Sequence, residues 1–515
     1  VISRRSLFTS TLAAAAPACR TQPRRPNFLF VLADDQSFPH AGVYGCKGIR
    51  TPAFDRIARQ GVLFTNSFCA SPSCTPSRSA ILTGRHMWQV EQAGLLYGTI
   101  PPKYPLVTHL LEDAGYHVGF TGKGWAPGDW RAGGLRRHPN GKEYNTRRHN
   151  PAPRPGIDPR DYAANFADFL RDRPAGAPFF FWLGSTEPHR IYARGAGLAT
   201  GHSLDEVSVP AFWPDTPEVR GDMLDYYSEI EWHDRQLARS VDALEAAGEL
   251  DNTMIVVTSD NGMPFPRAKV NLYDRGVHMP LAVRWGSRFR GARTIDDIVQ
   301  HTDFAPTLLA AAGLPIPTGM AGKSLLPVFD SGRSGIIDPS RDAAFTGMER
   351  HVMARPGGAT YPMRSIRTRD YLYIRNFAPD RWPTGGEFLS SNRTTHGDVD
   401  AAPIRDFMLD PANRQRFPRH YELCFGLRPA EELYHLPSDP DQVRNLAIEP
   451  HAELAPLRQR LESYLKQTGD PRIEGRDPWQ DYVYHQTTGY GASFNRSLPE
   501  AQRRQARDAP RHKPE

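Results

Sequence analysis

Residues 74–85 read Cys-Thr-Pro-Ser-Arg-Ser-Ala-Ile-Leu-Thr-Gly-Arg, which sets a sulfur nucleophile four residues ahead of a cation. Pro76 suits the first turn of a helix, so Cys74 falls at a loop-to-helix junction, where unpaired amides favour an anion. Arg78 follows one turn later and can pair with an anion's oxygens. Taken alone, such a cysteine reads equally well as a small buried hydrophobe. Hard oxygen donors occur in two pairs, Asp34-Asp35 and Asp260-Asn261. They suit Ca²⁺ or Mg²⁺ and not zinc, although either pair by itself would serve as a turn or a helix cap. His189, in Glu187-Pro-His-Arg190, can donate a proton near neutrality. Lysine is scarce, 8 of 63 cations, which draws the eye to Lys123 and Lys269.

These residues stand just after strand-like runs. Asn27–Ala33 is continuously apolar, as a strand buried on both faces would be, and it stops at Asp34. Residues 116–120, 178–183 and 253–258 are further strands, the last ending before Ser259-Asp-Asn-Gly262. Helical spacing marks Leu106–Ala114, closed by Gly115, and Tyr226–Ala247, with Ile230, Leu237, Val241 and Leu244 inward. Alternating helices and apolar strands predict an α/β fold: a parallel sheet with helices on both faces. Ligands of such sheets bind at the carboxyl ends of the strands, so the polar clusters should converge there. Beyond about residue 345, a hairpin over 361–377 and a helix over 450–467 predict a smaller α+β subdomain with an antiparallel sheet.

The string around Cys74 resembles the signature of the sulfatase family, Cys-x-Pro-x-Arg followed by Leu-Thr-Gly-Arg. Asp34-Asp35, Thr51–Asp55, Gly61–Asn66, Gly122-Lys123, Glu187–Arg190, Ser259–Gly262, Lys269, Asp303–Thr307 and Glu432–Leu436 follow in that family's order. The resemblance implies a large, mostly parallel alkaline-phosphatase-like sheet. It also implies a metal site of Asp34, Asp35, Cys74, Asp260 and Asn261, usually holding Ca²⁺, and a Cys74 oxidised to formylglycine by a dedicated maturation enzyme. One hydroxyl of the hydrated aldehyde then attacks sulfur, and the second loses its proton to release sulfate. Arg78, Lys123 and Lys269 would offset charge on the sulfate, and His189 would protonate the leaving group. In many relatives a histidine stands two residues after the lysine; here Trp125 takes that place, implying either a sugar-stacking surface or another base such as His278.

Asn261–Pro266, Lys269–Tyr273, Thr360–Ser365 and Asp477-Pro-Trp479 look more like the heparan N-sulfatases, or sulfamidases, than like arylsulfatases. A sulfated saccharide is then the expected substrate, as an N-sulfoglucosamine sulfamate or a sugar sulfate ester. Glu349, Arg350, His351 and Arg364 are candidates for reading the sugar, with an ordinary surface hairpin as the plain alternative. The competing functions are a phosphodiester or phosphonate hydrolase on the same fold, and a degenerate glycan-binding protein.

Composition bounds the rest. The 515 residues are 39% hydrophobic and 23% charged, and no apolar run approaches the ~20 residues that would span a bilayer. Five scattered cysteines exclude a disulfide scaffold. The net charge of +6 suggests a polyanion, but residues 1–25 carry five arginines without an acid and residues 496–515 a net +3, leaving −2 between them. No nucleic-acid partner is therefore expected. Ser3-Arg-Arg-Ser-Leu-Phe8, a short apolar stretch and Ala16-Pro-Ala18 resemble a twin-arginine export signal, implying a periplasmic or otherwise extracytoplasmic protein. Cys19 is placed for a lipid anchor, although Ala16 is a poor first residue for that motif. The expected organisation is signal 1–26, catalytic domain 27–345, C-terminal subdomain 346–480 and tail 481–515.

Overall fold

In the computed structural model, residues 24–486 are described, apart from 290 and 391–393; most of the segment expected to be an export signal, with Cys19, and the residues from 487 onward lie outside them. The larger sheet has nine strands: β1 Asn27–Ala33, β2 Val62–Phe68, β3 His117–Gly122, β4 Lys142–Glu143, β5 Phe179–Gly184, β6 Thr253–Ser259, β7 His278–Trp285, β8 Arg293–Ile295 and β9 Val299–Gln300. Their order is β4-β3-β5-β1-β6-β7-β2-β8, with β9 also on β2. Every pairing is parallel except those of β7, which runs against both β6 and β2. The sheet is therefore mostly parallel, with one reversed strand.

Alternation explains why β1 sits at its centre. Phe28, Phe30 and Leu32 enter one apolar layer, and Leu29 and Val31 the other, so no residue of the strand is left for solvent. Each such side chain contributes about 1.5–3 kcal/mol when fully buried. Phe30 stacks on Trp182 of β5 at 5.1 Å, tying the neighbouring strands. The helix Pro217–Ala246 covers the second layer with Leu237, Val241 and Leu244. It starts well before the expected Tyr226, capped by Thr216 and opened by Pro217. Its first turns bury Asp222 and Asp225, which pair with Arg190 and with the amides of Gly195 and Gly197, so apolar spacing could not reveal them.

A second, antiparallel sheet comprises β10 Ala343–Met348, β11 Met363–Thr368, β12 Tyr371–Asn376 and β13 Glu431–His435. The expected hairpin is β11–β12. The expected boundary after 345 cuts through β10. One face of this sheet packs on Phe68, Leu272 and Met279; the other is covered by Leu457, Leu461 and Leu465 of the helix Leu454–Gln467. The chain also stays packed past 481, with Val483 and Tyr484 buried. Among the described residues no helix is long and apolar enough to cross a membrane.

Register brings the polar residues together. Ala33 pairs with Ser259, Leu32 with Gly184 and Gly122 with Gly184. Asp34, Asp260, Ser185 and Lys123 consequently leave the sheet side by side, at the carboxyl ends of β1, β6, β5 and β3.

Candidate active site

Cys74 opens the helix Cys74–Thr83, of which all ten residues are buried. Ser77 fixes that helix over the end of β6, donating its hydroxyl to the Asp260 carbonyl and meeting His301 Nδ1 at 2.9 Å. Val270 N donates to the Pro72 carbonyl at 2.9 Å, holding the approach to the helix against the loop that carries Lys269. Cys74 Sγ stands 3.6 Å from Asp34 Oδ1. Burial pushes the thiol well above its ordinary value, so it is protonated at neutral pH and a poor nucleophile in its unmodified form.

Carboxylates and cations interlock around it. Lys123 Nζ donates to Asp34 Oδ2 at 2.6 Å, and Arg78 Nη2 lies 3.6 Å from Asp34 Oδ1. Arg78 Nε donates to Asp260 Oδ2 at 2.8 Å, while its Nη1 binds the carbonyls of Lys123 and Gly124 at 2.7 and 2.8 Å. Arg78 thus positions the Lys123 loop as well as carrying charge. Lys269 Nζ donates to Asp35 Oδ2 at 2.7 Å. Burial alone would raise Asp34, but Lys123 and Arg78 hold it well below the usual carboxylate range. Asp260 goes the other way, lifted to about 6 by burial and by Asp34. Asp35 and Val270 have φ of +77° and +67°, strained for residues other than glycine.

His189 is partly exposed; its Nδ1 lies 2.7 Å from the Arg190 carbonyl and its Nε2 3.7 Å from Asp35 Oδ2. Donation from Nδ1 to that carbonyl leaves Nε2 on the side of Asp35. Two neighbours carried no sequence signal. Asp400 Oδ2 lies 3.3 Å from Lys269 Nζ, and ligand atoms of Asp35, His189 and Asp400 fall within 4.8 Å of one another. Tyr97 packs on the cluster of Cys74, Leu96, Val352 and Ala354; its phenol is raised by burial and by Cys74, against the pull of Lys123 and Lys269. No spacing rule links residues 97 and 400 to the strand ends.

Residues 26–314 match the family model described as Sulfatase. The chain belongs to the sulfatase family. Residues 268–382 of this sulfatase also match a model described as N-sulphoglucosamine sulphohydrolase, C-terminal. Human N-sulphoglucosamine sulphohydrolase is 28% identical over 510 residues, covering 90% of this chain and 92% of its own. An ulvan-active sulfatase of Formosa agariphila is 27% identical over 458 residues, covering 87% and 81%. A protein solved in complex with its substrate D-glucosamine-2-N,6-O-disulfate shares the fold, with a TM-score of 0.64, 21% identity and coverage of 88% and 100%. The enzyme class follows from the family: a hydrolase of sulfuric esters.

The oxygen-rich end of the sulfatase sheet fits a divalent cation. Asp34, Asp35, Asp260 and Asn261 are all buried, and Asn261 Oδ1 has no hydrogen-bond partner although it is shielded from solvent. Asp34, Asp35 and Cys74 offer ligand atoms within 4.8 Å of one another. A buried acceptor without a donor costs about 1–3 kcal/mol unless something satisfies it, and a hard cation would.

Five residues expected to touch substrate need correction. Trp125 is 1% exposed, its indole Nε1 donating to Ser79 Oγ at 2.8 Å, so it is a core residue and no sugar platform. His278 cannot replace the absent histidine: it is stacked between Phe38 and Phe68, its Nε2 is 2.8 Å from the Thr65 carbonyl, and burial lowers it. Glu349 and Arg364 form a closed buried network with Asp470 and Arg472, out of reach of a ligand. Arg350 is buried too, bound to the carbonyls of Gly358 and Tyr482. His351 differs, because its Nδ1 lies 2.9 Å from Ser73 Oγ, next to Cys74, with burial and Lys269 lowering it to about 4.

Proposed function

We propose that this sulfatase hydrolyses the sulfate of a sulfated saccharide, with the sulfamate of N-sulfoglucosamine as the leading substrate and a sugar sulfate ester as the other candidate. The observation that carries the reading is the convergence of Cys74, Asp34, Arg78 and Lys123 at neighbouring strand ends, within 2.6–3.6 Å of Asp34 or Asp260. The match of residues 268–382 and the likeness to human N-sulphoglucosamine sulphohydrolase support the choice of sugar.

In this reading residue 74 is processed to formylglycine, which supplies paired hydroxyls, one to attack sulfur and one whose deprotonation releases sulfate. Asp34, Asp35, Asp260 and Asn261 would hold a Ca²⁺, or Mg²⁺ in its stead, which would supply positive charge to offset that of the sulfate. Arg78 and Lys123 bind the sulfate oxygens from the side of Asp34, and Lys269 from the side of Asp35. Arg78 and Lys269 are themselves buried, and preorganised charges removed from water stabilise a transition state best. His189 delivers a proton from Nε2 to the departing amine or alcohol, while the Arg190 carbonyl fixes its ring through Nδ1. The twin-arginine-like segment would deliver the enzyme outside the cytoplasm.

Two measurements test the proposal. Mass spectrometry of the peptide containing Cys74, from enzyme active in its native host, should find the aldehyde or its hydrate; an intact thiol in active enzyme refutes the mechanism. Turnover across a panel of N-, 2-O-, 3-O- and 6-O-sulfated saccharides should be fastest for the N-sulfate. Faster turnover of a matched phosphate ester would favour the phosphohydrolase alternative instead.

A further inference from the structure

We infer that Asp400 determines specificity: its carboxylate accepts a hydrogen bond from the hydroxyl beside the sulfated position, selecting a pyranose with a free vicinal hydroxyl and no carboxylate on that edge. The inference rests on the saccharide reading above. Three features of Asp400 carry it.

The first is access. The Asp400 side chain is 30% exposed, whereas those of Asp34, Asp35 and Asp260 are exposed by 1% or less. The second is capacity. Among the described residues, Lys269 Nζ at 3.3 Å is its ion partner, and a carboxylate has about four acceptor positions, so it keeps others for a ligand. Burial would raise it, but Lys269 and His189 hold it well below the usual carboxylate range, so it is ionised at neutral pH. The third is position. Ligand atoms of Asp400 and His189 lie within 4.8 Å of each other, so if His189 protonates the leaving group, Asp400 stands on the side where the sugar departs.

A carboxylate here cannot serve the sulfate, whose oxygens are acceptors of the same sign. It suits a neutral donor, and hydrogen bonds from hydroxyl to carboxylate are among the stronger kind. A ring carboxylate at the same edge would be repelled, which disfavours a sulfated uronate. The group is also held ready. Two residues earlier, Asp398 accepts from Val352 N at 3.1 Å and from Arg355 Nη2 at 2.7 Å, and Val352 packs on Cys74. The loop is thus clamped before any sugar arrives, and less ordering is needed on binding.

The test compares N-sulfoglucosamine with its 3-deoxy analogue in the wild type, Asp400→Asn and Asp400→Ala. The wild type should prefer the parent by roughly 10- to 100-fold in kcat/KM. Asp400→Ala should bring that ratio to about one, with Asp400→Asn, which retains an acceptor, in between. The ratio is internal to each variant, so a reduced folded fraction cancels. An unchanged ratio in Asp400→Ala, or no preference in the wild type, overturns the inference. If the wild type ignores both compounds but cleaves an O-sulfated sugar, the N-sulfate reading fails. The Asp400 inference is then judged by the same ratio on that ester and its vicinal deoxy analogue.

Discussion

Replacing Arg364 by methionine separates a structural role from a sugar-reading one. The guanidinium is wholly buried, its Nε 2.5 Å from Asp470 Oδ2 and its Nη2 2.8 Å from Glu349 Oε1. It also lies 5.4 Å from the Trp88 ring centroid and 5.3 Å from that of Trp479. In Arg364→Met, Glu349 keeps Arg472 at 2.6 Å, but Asp470 loses its charge partner. Breaking one buried pair costs about 3–5 kcal/mol. Losing the cation between two indoles adds about 1 kcal/mol, which the methionine stem partly recovers. The expected loss is therefore ~4 kcal/mol, about a thousandfold in the unfolding equilibrium. Urea unfolding followed by tryptophan fluorescence should show a lower midpoint at unchanged slope. KM measured at low denaturant should match the wild type. Full stability together with a tenfold rise in KM would refute the reasoning and restore Arg364 to the substrate.

Three further outcomes are expected. His189→Gln should lower kcat on the saccharide by roughly 10²-fold or more and much less on 4-nitrophenyl sulfate, whose leaving group needs no proton; equal losses would remove His189 from the acid role. In metal-free protein, Asp260, raised to about 6, binds its proton more tightly folded than unfolded, so its contribution to stability declines as pH climbs from about 4 through 6. A proton and Ca²⁺ then compete for that carboxylate, and the thermal stabilisation by added Ca²⁺ should be larger at pH 7 than at pH 5; a pH-independent gain would exclude Asp260 as a ligand. Trp125→His, which restores the family's usual imidazole, should destabilise by about 3 kcal/mol without raising kcat, because the side chain is 1% exposed and hydrogen-bonded to Ser79; a tenfold gain in kcat would show that position 125 still reaches the nucleophile.

Strand-like runs that are apolar on both faces were legible at once, since β1, β5 and β6 leave no residue for water. The polar pairs after them could be placed because a parallel sheet aligns its carboxyl ends. β2 and β7 were harder. Each mixes polar residues among apolar ones, and the reversal of β7 depends on a loop whose course no periodicity encodes. The failures among the substrate contacts share one cause. Arg350, Arg364, Trp125 and His278 are polar or amphipathic types that a sequence presents as ligand-binding, yet each is satisfied inside the protein by carbonyls, carboxylates, a serine hydroxyl or flanking rings. Asp400 was missed for the opposite reason: the feature that sets it apart is partial exposure beside Lys269, which exists only once the second sheet has docked.

The burial of Cys74 has a consequence for timing. At 2% exposure, in a helix with no exposed residue, the sulfur cannot enter the active site of another macromolecule. Conversion to formylglycine, as proposed, must therefore act on a nascent or unfolded chain, before the carboxyl ends of the strands close over residues 74–83. A pool of already folded, unconverted enzyme should be a dead end. Adding the maturation enzyme to it would restore little activity until the protein is unfolded and refolded in its presence.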